Sequence, residues 1–477
     1  MPKIAIIGAG SAQWLARFVK DIALISKDRN DVELYLMDIS EERLELAYKL
    51  AKKYVEELKT GLKIRRTFDR GEAIRDADFV INSALAKGYR FTDALRDSAE
   101  RHGYYRGLDA VEWNFVMDYI ILTGYYQYKL ALNIAKDIED LAPSAWYIIV
   151  ANPVLEITTL LSRSTKLKVV GVCDGPIGYK DLARRLGVFD KELEVEVVGL
   201  NHDIWLTKFE VDGSDGYELI DEFVERKAQT IWEQYWRGTC PECWGMRRDI
   251  PLQISPAAVD MYKTYGLYPI GDTPRNGTWK YHRDLETKRR WYGPFGGRDS
   301  EIGRRMYYED IRLALLRLKE VAENPAIPAT SIIPPRLDEE PRGRVPRMDV
   351  DPAVAFIDAV MNNKRSLIVL NVPNQGALLG VPDDVVVEVP VEVDSNGIHR
   401  RVYSLPPRVL KLAIWPRITR MEMALEAFIK GGRDSLRMWL EVDPRTRSEK
   451  QIEEAIDDVL NTSVEIGGDD EMKKHYS

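Results

Sequence analysis

The sequence predicts an α/β protein in which an N-terminal, Rossmann-like, doubly wound parallel sheet is followed by a C-terminal α+β domain. Two observations lead to this prediction. A βαβ pattern begins at residue 3, and strand and helix patterns then alternate as far as residue 200. Beyond that point strands and helices mix without strict alternation. We therefore place one domain at residues 1–200 and a second, which would hold substrate, metal and oligomer contacts, at residues 201–477.

The first βαβ pattern carries a glycine-rich turn. The strand KIAII leads into Gly8, Gly10 and Ser11, a helical stretch follows, and the second strand, VELYLMD, ends in Asp38. Such glycines allow a tight turn and let a pyrophosphate approach a helix N-terminus. Asp38 can accept hydrogen bonds from a ribose, and its charge opposes a 2′-phosphate, so NAD is favoured over NADP. The third glycine of the usual motif is missing, and a purely structural turn is the alternative.

Polar residues stand at the ends of four more predicted strands. The third strand ends in Asn82, where the nicotinamide half of a dinucleotide would pass, and the fourth ends in Asn152. The strand VVGVC ends at Cys173, and VEVVGLNHD ends at His202 with Asp203. Because open α/β sheets bind ligands at the carboxyl ends of their strands, we expect these residues to share one rim with the glycine turn.

Cys173 and His202 indicate a metal site. They are one of three cysteines and one of five histidines, and a thiolate with an imidazole suits a soft-to-borderline divalent ion. Taken singly, each is more often a buried structural residue. Cys240 and Cys243 form a CxxC pair without a second pair; half a zinc site or a local disulfide is possible, and two ordinary loop thiols are the expectation.

Composition excludes several function classes. The net charge of −8 disfavours nucleic acid or an anionic membrane as a partner. There is no apolar run of eighteen residues and no signal-peptide pattern, so we expect a cytoplasmic protein without membrane contact. Residues 255–284 combine aromatic and polar side chains, which suits a sugar-binding wall or else an ordinary packed surface. Prolines recur through residues 325–352, which predicts an extended connector rather than an element.

A nicotinamide cofactor, a divalent ion and clustered Asp and Tyr side chains would together favour an enzyme that acts on a sugar or polyol. A metal can chelate two neighbouring hydroxyls, and oxidation at one of those carbons makes the adjacent C–H acidic enough for a base to remove its proton. These residue types alone do not predict hydrolysis.

Several motifs resemble glycoside hydrolase family 4, the NAD- and Mn-dependent glycosidases. The resemblance covers nearly the whole chain, and it looks closest to the α-glucosidase-like members. It rests on the turn GAGS with LMDI, ANP at 151–153, CDGPIG at 173–178, GLNHD at 199–203, SPAAVDMY at 255–262, GDTPRN at 271–276, WKYHRDLE at 279–286 and NVPNQG at 371–376.

The resemblance implies redox-neutral hydrolysis of small-molecule α-glycosides of the α-glucosidase type. The implied sequence is hydride transfer from sugar C3 to NAD, proton removal from C2, elimination at C1, water addition and return of the hydride. It also implies a homodimer or homotetramer and an architecture like that of lactate and malate dehydrogenases. The alternatives are an α-glucuronidase or 6-phospho-α-glucosidase of the same family, or a true NAD-dependent hydroxy-acid or polyol dehydrogenase.

The resemblance also implies roles for particular residues. Cys173 and His202 match the ligands of Mn²⁺ or another divalent ion, with sugar O2 and O3 completing the coordination. Asp260 matches the base at C2, and Tyr262 is the fallback. Asp174 stands where the family places the leaving-group acid; the α-glucosidase-like members carry His there, and Asp is more like the 6-phospho-α-glucosidases. The remaining implied contacts are with substrate (Asn152, Arg275, Glu112) and with NAD (Gly8, Gly10, Ser11, Asp38, Asn82, Asn152).

Overall fold

The computed structural model describes residues 1–12, 14–106, 124–240, 249–275, 279–333 and 338–477, and the statements below concern these ranges. The strands are β1 Lys3–Ile7, β2 Glu33–Met37, β3 Lys63–Thr67, β4 Phe79–Asn82, β5 Trp146–Ile149, β6 Lys168–Gly171, β7 Glu192–Leu200, β8 Asp203–Val211, β9 Ser214–Asp215, β10 Tyr268–Ile270, β11 Arg342–Arg344, β12 Ser366–Pro373, β13 Val386–Asp394 and β14 Gly397–His399.

The helices pack on both faces of the sheet and at its ends. They are α1 Leu15–Ile25, α2 Glu41–Leu58, α3 Arg70–Ile74, α4 Gly88–Arg101, α5 Tyr125–Leu141, α6 Val154–Ser164, α7 Gly178–Leu186, α8 Tyr217–Arg226, α9 Ala228–Arg237, α10 Pro256–Tyr265, α11 Leu285–Tyr292, α12 Glu301–Glu323, α13 Pro352–Met361, α14 Pro407–Val409, α15 Trp415–Lys430, α16 Arg433–Glu441, α17 Glu449–Gly467 and α18 Glu471–Tyr476.

The main strands form one continuous mixed sheet in the order β10-β8-β7-β13-β12-β6-β5-β4-β1-β2-β3. From β3 to β6 all pairings are parallel, which is the strand order of a doubly wound Rossmann sheet. From β6 outward through β12, β13, β7, β8 and β10 the pairings are antiparallel. The predicted fold class, a Rossmann-like half followed by an α+β half, is confirmed. The second half extends the same sheet, and the division at residue 200 stays a prediction.

One row of paired residues runs across the middle of this sheet. Gly171 of β6 pairs with Asn371 of β12, Asn371 with Glu388 of β13, and Glu388 with Gly199 of β7. The row therefore brings the carboxyl end of β6 close to the carboxyl end of β7, although the two strands run in opposite directions. The turns after β6 and β7 meet at one site.

Two predictions about individual elements are wrong. The strand that ends in Asn82, predicted as the third, is the fourth. The third is Lys63–Thr67, which pairs with β2 and forms the edge of the sheet. That segment, KIRRT, carries three cationic residues, so its apolar pattern is too weak to predict a strand. Edge strands often carry charged side chains of this kind. Within the proline-rich connector, Arg342–Arg344 pairs with β7. Gly343 permits this close approach, since a Cβ there would lie 2.2 Å from the Leu193 carbonyl oxygen.

The cysteine pair also differs from expectation. Cys240 is disulfide-bonded, so the expectation of a free loop thiol is wrong, whereas Cys173 is a free thiol. Cys243 lies outside the described residues. In the described part of the chain, no helix is long and apolar enough to cross a membrane.

Candidate functional site

The glycine turn after β1 is built around Asp38. The backbone N–H groups of Gly8 and Ala9 both donate to the Met37 carbonyl, each at 2.9 Å. Gly10 N–H donates to Asp38 Oδ2 at 2.8 Å. Gly8 has a φ of +89°, and a Cβ on it would lie 2.6 Å from Ala84 Cα. Only glycine fits so close an approach of two strand ends, and the turn leads directly into α1.

The two asparagines predicted near this turn are placed differently. Asn82 is fully buried; its amide donates to the Tyr147 hydroxyl at 3.0 Å and its oxygen accepts from Ala84 N–H at 3.2 Å. These bonds hold the turn that follows β4. A direct contact of Asn82 with a cofactor stays a prediction. Asn152, before a cis proline, lines a cavity together with Cys173 and His202. Ser11 lies four residues before the start of α1, and its carbonyl accepts from Leu15 N–H.

Cys173 and His202 face each other. Cys173 Sγ lies 3.6 Å from His202 Nε2, although the residues come from turns after two different strands. His202 is 2% exposed, and its backbone φ of +121° is strained for a histidine. Strain of this kind persists only where the surrounding structure imposes it. The turn between β7 and β8 thus presents the imidazole to the thiol.

The spacing of this pair fits a shared metal ion. Metal–sulfur and metal–nitrogen bonds of about 2.3 and 2.1 Å at a tetrahedral angle put the two ligand atoms about 3.6 Å apart. Without a cation, burial and the neighbouring Glu388 raise the pKa of the Cys173 thiol to about 12, and a bound cation would favour the thiolate. Within the described ranges, no three His, Cys, Asp or Glu side chains are grouped so as to hold a metal by themselves. Two protein ligands would leave positions open for substrate oxygens.

Asp174, next to Cys173 in the chain, lines two neighbouring cavities. It lines the cavity of Cys173 and His202 and an adjoining one with Asp272 and Arg275. Its side chain opens onto the cleft, but the surrounding protein desolvates the carboxylate. This desolvation, together with the negative charge of Asp272, raises the pKa of Asp174. A carboxyl group in this setting holds a proton at higher pH than an ordinary aspartate.

Arg275 is engaged by two carboxylates. Its guanidinium donates to Asp299 at 2.9 and 2.6 Å and to Asp272 Oδ1 at 2.7 Å. Burial acts to raise the pKa of Asp272, but the charges of Arg275 and His202 prevail and lower it to about 2. The predicted substrate contact of Arg275 stays a prediction, since these bonds by themselves support a structural role at the cleft wall.

Asp260 and Tyr262 point in different directions from helix α10. Residues two apart on a helix are about 200° apart around its axis. The Asp260 carboxylate accepts hydrogen bonds from Lys280 Nζ at 2.5 Å and Tyr281 OH at 2.6 Å. The Tyr262 hydroxyl donates to Asp221 at 2.7 Å, and burial and this carboxylate raise its pKa. Neither Asp260 nor Tyr262 is among the described residues that line the two cavities, though α10 packs against the cleft-wall segment Thr273–Arg275.

A buried acidic side chain, Glu388, lies near Cys173 and His202. Glu388 is fully buried in β13 and accepts a hydrogen bond from Asn201 Nδ2 at 3.2 Å. Burial raises the pKa of Glu388 to about 7, and His202 acts in the opposite direction. An anion at this depth increases the attraction of the site for a cation.

Sequence reasoning missed several residues of the site, among them Arg298, which lines the second cavity. Trp14 lines both cavities from the start of α1, Asp351 lines the first, Asp272 lines the second, and Glu388 lies below. Only Asp272 had a signal, since it belongs to the quoted GDTPRN motif. Glu112, a predicted substrate contact, lies outside the described residues.

Comparison with known families gives two matches along the chain. Residues 3–188 match the sequence model described as family 4 glycosyl hydrolase. Residues 197–446 match the model described as the family 4 glycosyl hydrolase C-terminal domain. Together the two matches cover most of the chain.

Two relatives are both named as glucosidases, and their names differ in specificity. A probable 6-phospho-beta-glucosidase of Bacillus subtilis (strain 168) is 29% identical over 468 residues, covering 96% of this chain and 95% of the relative. An alpha-glucosidase of Erwinia rhapontici is 24% identical over 487 residues, covering 96% and 97%. Full-length similarity therefore extends to proteins named for different substrates.

A solved 6-phospho-alpha-glucosidase from gut microorganisms has the same fold. Its structure with NAD and glucose-6-phosphate superposes with a TM-score of 0.72 at 17% identity, covering 98% of both chains. Its structure with NAD and Mn²⁺ gives a TM-score of 0.70 at 18% identity, again covering 98% of both.

Proposed function

Because the chain belongs to glycosyl hydrolase family 4, we propose that this glycosidase hydrolyses small-molecule α-glycosides of the α-glucosidase type, with NAD and a divalent metal, Mn²⁺ foremost, as its cofactors. One observation carries the proposal. Cys173 Sγ and His202 Nε2 lie 3.6 Å apart in a cleft that Asp174 also lines. Trp14, which follows the glycine turn directly, lines the same cleft. This closeness supports the proposal that Cys173 and His202 hold the metal, that Asp174 donates the proton and that the glycine turn binds the nucleotide.

Each cofactor would be held by a separate group of residues. Gly8, Gly10, Ser11 and Asp38 would hold NAD, and Cys173 with His202 would hold the metal. When bound, NAD supplies a reversible hydride acceptor and the metal supplies a Lewis acid for the sugar hydroxyls. The chain's own task is then to orient the sugar and to move two protons, one from C2 and one to the leaving oxygen.

Asp174 is the proposed acid and Asp260 the proposed base. The raised pKa of Asp174 supports proton donation to the glycosidic oxygen. Lys280 and Tyr281 fix the Asp260 carboxylate in one orientation, which supports a role in removing the C2 proton. The Tyr262 hydroxyl donates a hydrogen bond to Asp221 and is directed away from Asp260. We therefore favour Asp260 over Tyr262 as the base.

The main experiment is an assay in D₂O with an aryl α-glucoside, Mn²⁺, NAD and a thiol reductant. The expected result is phenol release that requires every additive, with deuterium at C2 of the released sugar. The reductant protects the Cys173 thiol. Net accumulation of NADH without phenol release would instead indicate a dehydrogenase.

The two base candidates are separated by a matched pair of substitutions. Asp260→Asn is expected to lower kcat by about 10²- to 10⁴-fold, the range that general base catalysis contributes. Tyr262→Phe removes only a hydroxyl that is bonded to Asp221 and directed away from Asp260, so we expect kcat to stay within about threefold. Steady-state kinetics together with C2 deuterium incorporation is the measurement. A large loss in Tyr262→Phe with little loss in Asp260→Asn would reverse the assignment.

Gly10→Ala tests the nucleotide turn. The added Cβ would lie 2.5 Å from Arg43 Cβ and 2.8 Å from Asp38 Oδ2, so the turn must shift. Losing one hydrogen bond to a charged group costs about 1.5–3 kcal/mol, and we expect the Kd for NAD to rise about 10- to 100-fold. Calorimetric titration with NAD is the measurement. Gly71→Ala is the control, since its added Cβ meets nothing closer than 3.2 Å; equal NAD affinity in both variants would contradict the assignment.

A 6-phospho-α-glycoside is the second candidate substrate. The exposed Arg298 lines the same cavity as Asp174, where it could meet a phosphate, and a uronate carboxylate would be met in the same way. The names of two relatives also point to phosphorylated sugars. Parallel assays on an aryl α-glucoside, its 6-phosphate and the α-glucuronide give the ranking. If Arg298 binds the phosphate or carboxylate of the substrate, Arg298→Gln reduces kcat/KM for the anionic substrates only.

A further inference from the structure

Asp272 stands between the two turns that carry Cys173 and His202. On one side, the preceding Gly271 presses against the Cys173 turn, since a Cβ on Gly271 would lie 2.5 Å from the Gly175 carbonyl oxygen. On the other side, the Thr273 hydroxyl accepts from Ile204 N–H at 2.8 Å and donates to the Ile204 carbonyl at 2.9 Å. The position of Asp272 is therefore tied to both turns.

The two carboxylate oxygens of Asp272 face different neighbours. Oδ1 accepts from Arg275 Nη1 at 2.7 Å, and Arg275 is itself held by two bonds to Asp299. Oδ2 lies 3.9 Å from His202 Nε2, the same ring nitrogen that lies 3.6 Å from Cys173 Sγ. Arg275 thus fixes Asp272 with its other oxygen directed toward His202 Nε2.

The distance of 3.9 Å is too long for a hydrogen bond to the imidazole. The Asp272 side chain is 17% exposed, and that exposed part lines the cavity beside Asp174. An ion bound to Nε2 would sit about 2.1 Å from that nitrogen. Oδ2 then comes within hydrogen-bond reach of a water bound to the ion.

We propose that Asp272 is a third protein group acting on the metal, whose Oδ2 accepts a hydrogen bond from a water bound to the ion that Cys173 and His202 would hold. Arg275 is the positioning residue for this carboxylate. The inference rests on the proposed function, because it takes Cys173 and His202 as the metal pair. One thiolate and one carboxylate together balance the charge of a divalent ion.

The test is a Mn²⁺ titration of the full chain, followed by the electron paramagnetic resonance signal of free Mn²⁺. Asp272→Asn keeps the shape of the side chain and removes its charge, and we expect the Kd for Mn²⁺ to rise about 10- to 100-fold, as for other residues that support a metal ligand. Asp299→Asn is the matched control. It also removes a partner of Arg275 but leaves Asp272 charged and bonded, so a rise of no more than severalfold is expected.

Asp272→Glu keeps the carboxylate, should recover part of the affinity, and provides a second variant if Asp272→Asn fails to fold. A Kd for Asp272→Asn within twofold of the parent, or equal losses in the Asp272 and Asp299 variants, would overturn the inference. Failure of the proposed function gives a different pattern, in which Cys173→Ser binds Mn²⁺ as tightly as the parent. Unchanged NAD affinity in every folded variant shows that the effect belongs to the metal site.

Discussion

His202→Ala is expected to lower kcat/KM on an aryl α-glucoside by at least about 10³-fold, because it removes one of the two side chains that would hold the metal. Removal of a single electrostatic donor from an active site already costs about 10²- to 10³-fold, and loss of the ion removes more than one such interaction. Alanine also carries a Cβ, so the strain that belongs to the φ of +121° is common to both residues and does not distinguish the variant from the parent. Mn²⁺ binding should be lost in parallel.

The matched control is His102→Ala. His102 follows α4 and bonds to Asp458 of α17 at 2.9 Å, in a helical layer built from other elements than the metal cleft. We expect this variant to keep both Mn²⁺ affinity and kcat/KM. If His202→Ala retained activity within tenfold of the parent, or if the two variants lost activity equally, the metal assignment of His202 would be wrong.

The largest expected effect on stability comes from Arg417→Met. Arg417 in α15 donates to Glu156 in α6 at 2.5 Å, and both side chains are buried. Removing the cation leaves a carboxylate buried without its main counter-charge, which costs about 3–5 kcal/mol of unfolding free energy. Denaturant unfolding followed by circular dichroism measures the change. Since α6 begins just after Asn152, the loss should also loosen the cleft.

A surface pair joining the same two helices is the control. Arg163 of α6 donates to Glu422 of α15 at 2.8 and 2.7 Å, and these side chains are 29% and 41% exposed. Solvent screens such a pair, so Arg163→Met should cost less than about 1 kcal/mol. The double variant Glu156→Gln with Arg417→Met should be more stable than Arg417→Met alone, because no buried charge is left over. Equal costs for Arg417→Met and Arg163→Met would contradict the argument from burial.

Local sequence was sufficient for the first half of the fold. Strand runs such as KIAII and the glycine turn after them predict the βαβ unit, because strand period, turn geometry and helix spacing are all properties of neighbouring residues. The edge strand Lys63–Thr67 was missed because an edge needs little apolar pattern of its own. The short strand Arg342–Arg344 was missed because its stability comes from pairing with β7 rather than from its own residues.

The sequence alone determined the residue types of the site, namely a cysteine and a histidine at strand ends, with Asp174 beside the cysteine. Tertiary structure alone decided which other side chains meet them. Asp272 and Glu388 reach the pair from distant parts of the chain, and the direction in which α10 turns Asp260 and Tyr262 depends on how that helix packs. The physical reason is that a strand end is encoded by neighbouring residues. Electrostatic and hydrogen-bond partners depend instead on how distant strands such as β6, β12, β13 and β7 pair in one sheet.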